Sequence, residues 1–220
     1  MLHYTRNNFK GWLRVDGFIL NVNLVHNEDL IVSVLSKYEL LTLYRFYGAR
    51  HSQIQLGYKI DFETETNAGI TISRLRNVLH LGYPWLYDLK RLMVWQQFSQ
   101  LMYKHLQSND AELDSIYYDL LDDAGKIFEK QNPKRIAIES YVKLLGHEGR
   151  LHTEHFCFIC EEEIINKISL ARAFLPAHPQ CINALVIDSQ AIEVLFLEAN
   201  SMFLSDIEVE QIYAVLLEGL

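Results

Sequence analysis

From Gly11 to Arg76 hydrophobic and polar residues alternate with a period of two, as in strands with one face in a core and one in water. Phe18, Leu20, Val22 and Leu24 alternate with Ile19, Asn21, Asn23 and Val25. Val25-His26-Asn27-Glu28 reads as a turn, after which Leu30, Val32 and Val34 resume the pattern. Leu40, Thr42, Tyr44 and Phe46 form a third run, closed by Gly48. The most regular run is Ile54, Leu56, Tyr58, Ile60 and Phe62, with Lys59 on its polar, exposed side. Thr66-Asn67-Ala68-Gly69 supplies a hairpin turn before Ile70 and Ile72. Five short strands predict a small barrel, whose closure hides strand edges. The five-stranded oligonucleotide-binding (OB) barrel is the commonest such solution.

After Pro84 the spacing becomes helical. Residues 85–106 carry Leu86, Leu89, Met93, Phe98, Leu101 and Met102 at helical intervals. Apolar residues lie almost all round this helix, which predicts a central position. A second stripe runs from Leu113 through Ile116, Leu120, Leu121 and Ala124 to Phe128, with Asn109 and Glu112 in capping-box spacing. Asn132-Pro133 opens a third helix, and Gly146 is the expected left-handed end. Ile192, Leu195 and Phe196, then Ile212, Val215 and Leu216, mark helical segments in the tail. The chain thus reads as a barrel, residues 1–80, and an all-helical part, residues 81–220. No Gly/Ser linker separates them, so a shared interface is expected.

Half of the 220 residues are hydrophobic and 22% are charged, enough for a real core. The net charge of −8 excludes a uniformly basic nucleic-acid coat. Its distribution is uneven, however. Residues 1–80 hold nine Lys/Arg against seven Asp/Glu, and residues 81–220 hold eleven against twenty-one. No apolar run reaches the roughly 18 residues of a membrane span, and Met1–Lys10 has no apolar signal core. Three clustered cysteines make no disulfide framework and point to a reducing compartment, the cytoplasm.

Those cysteines carry the sharpest motif. Cys157-x2-Cys160 and His178-x2-Cys181 form C-x2-C-x17-H-x2-C, two tight ligand pairs suited to tetrahedral zinc at about 155–185. Four protein ligands make a closed, structural site. His152 or His155 is an alternative to His178, and three small buried thiols with a surface histidine is the plainer reading. His147-Glu148-x3-His152 has the wrong spacing for a zinc-protease helix. No phosphate-binding, dinucleotide-binding or serine-hydrolase glycine motif occurs. Glu161-Glu162-Glu163 and Asp122-Asp123 read as solvated surface.

On the barrel, Arg45, Arg50, Lys59, Arg74, Arg76 and His51 are interleaved with Tyr44, Phe46, Tyr47 and Tyr58. Cations neutralise phosphates and rings stack on bases, so this set is the candidate DNA-binding face. Tyr58 shares the core side with Ile54 and Phe62 and is assigned to packing.

Together, His26-Asn27-Glu28-Asp29-Leu30, the Gly48-Ala49-Arg50 loop, Gln53-Ile54-Gln55-Leu56, Leu144 to Gly149 and the cysteine set resemble the bacterial recombination mediator family RecO over roughly residues 15–190. The chain departs from that family in using His178 with Cys181 where two cysteines are usual, in lacking a further Arg/Lys run after Gly48-Ala49-Arg50, and in ending early. The resemblance implies a non-enzymatic mediator, cytoplasmic and nucleoid-associated, without a membrane. Such a protein binds single- and double-stranded DNA, anneals complementary strands, associates with RecR, contacts the acidic C-terminal tail of SSB and helps load RecA. Lys134, Arg135 and Lys143 are the candidates for that acidic tail. Two other readings stand beside it: a zinc-stabilised adaptor that binds only protein, and a zinc hydrolase in which His152 replaces His178.

Overall fold

In a computed structural model, residues 14–66, 69, 71–107 and 113–219 are described. Gly11, Asn67 and Ala68 of the expected turn, Ile70, and the capping pair Asn109 and Glu112 lie outside the described residues. Strands β1 (Arg14–Leu24), β2 (Leu30–Leu35), β3 (Leu40–Arg45), β4 (Lys59–Glu65) and β5 (Arg74–His80) form a closed barrel in the order β1-β2-β3-β5-β4. Neighbours are antiparallel except β3 and β5, which meet in parallel at Tyr44 and Arg74. This is the OB-type barrel expected from the alternation.

The alternation is broken in two informative places. Between Ile19 and Asn21 the β1–β2 register skips Leu20, a bulge that swaps the faces of the strand. Ile19 and Val22 therefore pack inside the barrel, while Phe18 and Leu20 pack outward into the helical core. The expected strand at Ile54–Phe62 begins only at Lys59. Gly57 is left-handed (φ 83°), and a β-carbon there would stand 2.7 Å from the Trp95 ring. Ile54 still plugs the barrel core, from a loop rather than a strand.

A 3-10 turn, Pro84–Tyr87, leads into α1 (Leu89–Leu106), followed by α2 (Ile116–Ile127) and α3 (Pro133–His147). Asp88 caps α1 by accepting from the Lys90 and Arg91 amides, and Asn132 caps α3 with Pro133 in its first turn. The left-handed residue ending α3 is Gly149 (φ 66°), not Gly146, because the helix continues to His147. The central helix is α3 rather than the 85–106 segment: α3 packs against α1, α2, α5 (Ser189–Glu198) and α6 (Asp206–Leu217). α1 instead bridges β1, α3 and α6. The second half is not all-helical. β6 (Lys167–Ala171) pairs with β7 (Leu175–Ala177) and β8 (Ile187–Asp188), with a single turn of helix, α4 (Pro179–Ile182), between them.

Barrel and helices meet around a paired lysine. Lys59 is only 15% exposed, lies 2.7 Å from Asp122 and 3.3 Å from Asp16, and sits over the Phe18 and Tyr118 rings. Tyr118 donates to Asp16, and Tyr83 to Asp122. Burial alone would raise the Asp122 carboxyl; Lys126 and Lys59 outweigh it and hold the group below its usual 3.8. A depressed carboxyl contributes stability above its unfolded value and loses it as pH falls through the folded one. The melting temperature is therefore expected to fall below pH about 4, and Asp122→Asn should lower it at neutral pH while flattening that acid limb. Thermal melts across pH check this, and identical acid limbs would count against the junction pairing.

Candidate nucleic-acid interface and metal centre

At the end of β3 the chain turns sharply. Tyr47 takes a left-handed conformation (φ 51°), uncommon for a bulky residue. Asp29 holds it there, accepting from the Tyr47 amide at 2.7 Å and from the Tyr44 hydroxyl at 2.5 Å. These bonds, the Tyr44 hydroxyl first, keep the Asp29 carboxyl below its ordinary range. Gly48 is needed because a β-carbon would come within 2.8 Å of Leu30. The turn leaves Phe46 and Tyr47 42% and 59% exposed.

Beside them Arg45, Arg74 and Arg76 line a recess of about 320 Å³ together with Phe46, Tyr47 and Leu75. Arg74 stacks its guanidinium 5.0 Å above Phe46, and Arg50 lies 5.3 Å from the centre of the Tyr47 ring. Arg45 donates to the Leu75 carbonyl and contacts His51, but its buried Nε has no hydrogen-bond partner among the described residues. Burial, with Arg76 nearby, lowers the Arg45 pKa from its ordinary value. Glu28 pairs with Arg50, and Glu65 with Arg74 and Arg76. The arrangement can therefore hold anions beside exposed ring faces. Five of the six expected residues, Arg45, Arg50, His51, Arg74 and Arg76, gather here. Lys59 does not: its exposed reading is corrected by the Asp16 and Asp122 pairs at the junction. Asp29, which sets the turn, was not singled out by spacing, since its partners lie 15 and 18 residues away.

In the second half, Cys157 and Cys160 sit on a tight hairpin in which the Cys157 amide donates to Glu162 and the Glu161 amide to Cys157. Glu161 occupies the left-handed position (φ 60°) that glycine usually eases. The Phe158 amide donates to Pro176 and docks this hairpin on β7. His178 directly precedes α4 as its N-cap and Cys181 lies within the helix, so one short turn presents the second pair. The four ligand atoms all lie within 4.8 Å of one another. Cys160 Sγ is 3.9 Å from Cys181 Sγ and 3.3 Å from His178 Nδ1. A tetrahedral zinc with Zn–S of about 2.3 Å sets its sulfurs about 3.8 Å apart, so the donor set fits a metal ion. His178 Nε2 lies 3.2 Å from the Glu163 carbonyl, which leaves Nδ1 for the metal. Burial opposes ionisation of Cys157, but the amides of Cys160, His178 and Ile159 prevail and bring it down to about 6. Burial and the neighbouring Cys157 and Cys160 push Cys181 up to about 11. A bound cation would relieve that conflict among crowded thiols. His152 lies outside the donor cluster, lining a cavity next to it, and the hydrolase reading loses its ligand.

The three residues expected for an acidic tail do not share a site. Lys134 rims a recess of about 680 Å³ with Lys90, Arg91, Met93, Tyr213 and Leu217. It is also paired with Glu210. Arg135 is committed to the Ser201 and Leu204 carbonyls and to Asp206, tying down the α5–α6 connection. Lys143 is exposed about 13 Å further along α3.

Residues 15–86 match the family model described as RecO N terminal. Over these residues the chain is RecO-like. The match covers the whole barrel and the turn into the helices, and it ties the RecO-like chain to DNA repair and recombination. No curated protein matches it. No helix among the described residues is long and apolar enough to cross a membrane.

Proposed function

We propose that this RecO-like chain is a non-enzymatic mediator of DNA repair and recombination. It binds single- and double-stranded DNA, promotes annealing and, with RecR, helps load RecA on SSB-coated DNA. The observation that carries this reading is the recess of Arg45, Arg74 and Arg76 beside Phe46 and Tyr47 on the matched barrel. Exposed rings support unpaired bases rather than a phosphate alone. Binding led by backbone charge tolerates any sequence, as annealing requires. Cys157, Cys160, His178 and Cys181 would hold a structural zinc ion, which supplies folding energy and no open coordination position. The Lys134 recess, apolar within, carries Lys90, Arg91 and Lys134 against Asp88 and Glu210, and its small excess of positive charge is the candidate contact for the acidic SSB tail. A cytoplasmic, nucleoid-associated location follows from this role.

The test is single-strand affinity against salt. If Arg45, Arg50, Arg74 and Arg76 each neutralise one phosphate, log K should fall against log salt with a slope of about −3. Arg50→Glu should weaken binding and make the slope shallower by about 0.7, with an unchanged melting temperature, because Arg50 is a surface residue. A slope near zero would remove the reading.

A second reading, an adaptor that binds protein alone, is favoured by one observation. Phe156, Phe158 and Ile159 on the metal hairpin are exposed, among the exposed acids Glu154, Glu161, Glu162 and Glu163. Recovery of RecR or SSB by a chain with no DNA affinity would select it.

A further inference from the structure

We propose that a second recess, where the barrel meets the helices, takes one unstacked nucleobase of a bound single strand. The inference rests on the DNA-binding reading above and adds a base-specific subsite to it. The recess measures about 490 Å³ and is lined by Gln53, Gln55, Tyr58, His80, Tyr83 and Tyr87, among others. Among the described residues, none that lines it is an acid, a lysine or an arginine, in a chain that is 22% charged. It therefore offers nothing to neutralise a phosphate, a carboxylate or a metal ion. It offers ring faces and amide edges, which are what a base requires: a flat surface to stack on and paired donors and acceptors to meet.

The walls are held from behind. Tyr58 and His80 stack at 4.1 Å with an angle of 17° between their rings. Tyr83 stacks on Trp85 and its hydroxyl is used by Asp122. The loop bearing the two glutamines is pinned where Trp95 donates to the Gly57 carbonyl at 2.6 Å and Gln96 to that of Leu56 at 3.2 Å. Gln53 and Gln55 themselves remain exposed. Tyr87 is 94% exposed, on a turn whose backbone is fixed by Pro84 and by the Asp88 amide donating to Trp85. A large ring kept in water on a rigid turn contributes nothing to packing, but it is ready to cover a base. His80 Nε2 is shielded from water and has no hydrogen-bond partner among the described residues. Burial lowers the His80 pKa from its ordinary value.

Position links this recess to the cationic patch. Ser52 and Gln53 of the recess directly follow Arg50 and His51 of the patch. A strand held by its phosphates at the arginines passes the recess as it follows the same loop, and an unpaired base is free to turn in. A duplex keeps its bases stacked and does not reach it.

The experiment measures binding of the full chain to a labelled oligothymidylate and to an abasic strand of equal length by fluorescence anisotropy. The intact strand should bind tighter, and of that gap about tenfold is the worth of the one base in the recess, the rest coming from Phe46 and Tyr47. The Tyr87→Ala/Gln55→Ala variant should narrow the gap by about tenfold while leaving abasic affinity and the melting temperature unchanged. A gap of the same size in the variant overturns the proposal. Equal binding of both strands by the wild type overturns it too, and leaves the phosphate-led reading standing. Failure of both strands to bind removes that reading and this inference with it.

Discussion

Chelation is expected to strip about one zinc ion from each chain, to lower the melting temperature by roughly ten degrees or more, and to open residues 155–188 to protease. The magnitude follows from what the four ligands join. Cys157 and Cys160 sit on a short hairpin held by the Phe156–Glu163 bridge and a few backbone hydrogen bonds, and His178 and Cys181 on a single turn of helix. Neither piece has a hydrophobic face large enough to fold alone. In small domains of this kind metal binding is folding energy, on the order of 10 kcal/mol. The direct variant is Cys160→Ser, since Cys160 is exposed and its replacement leaves no cavity. It should reproduce the loss of metal and of protease resistance. A purified chain without metal, and with a melting temperature indifferent to chelator, would sink the assignment.

Trp95→Ala should be the most damaging single substitution outside the metal centre, at about 3–5 kcal/mol. Its ring is fully buried between the edges of Phe18, Trp85 and Phe128. It also supplies the hydrogen bond to Gly57 that closes the loop before β4. Truncation opens a cavity and leaves a buried carbonyl without its donor. Trp95→Phe separates the two effects, restoring most of the volume but not the bond, and should cost about 1–3 kcal/mol. Urea denaturation gives both values. Equal costs for the two variants would mean that the hydrogen bond, not the packing, holds the junction.

Much of this was legible in the chain because it depends on neighbours in sequence. Alternation located the barrel strands, Asn132-Pro133 located α3, and the ligand spacing located the four-donor cluster that could hold a metal ion. What was hidden depends on distant partners. Lys59 reads as exposed by strand parity, yet its fate is set by Asp122, 63 residues away. The Leu20 bulge is invisible because three successive apolar residues satisfy either face. Gly57 breaks the expected fourth strand for the sake of Trp95, which the alternation cannot foresee. Strands β6, β7 and β8, of five, three and two residues, are too short to carry a period. Of the arginine patch, the residue types were readable, but their convergence was not: β3 and β5 meet in parallel, bringing Arg45 beside Arg74 and Arg76.

The outward face of β1 has one more consequence. The family match stops at residue 86, yet Phe18 and Leu20 on that strand lie against side chains as far along as Trp95 and Tyr118. Severed at that boundary, the barrel would show water a greasy flank and would clump. During divergence, too, a change of size at residue 18 must be answered in the helices. The two halves are thus bound to drift together, and the edge of the recognisable segment is not a seam along which this protein comes apart.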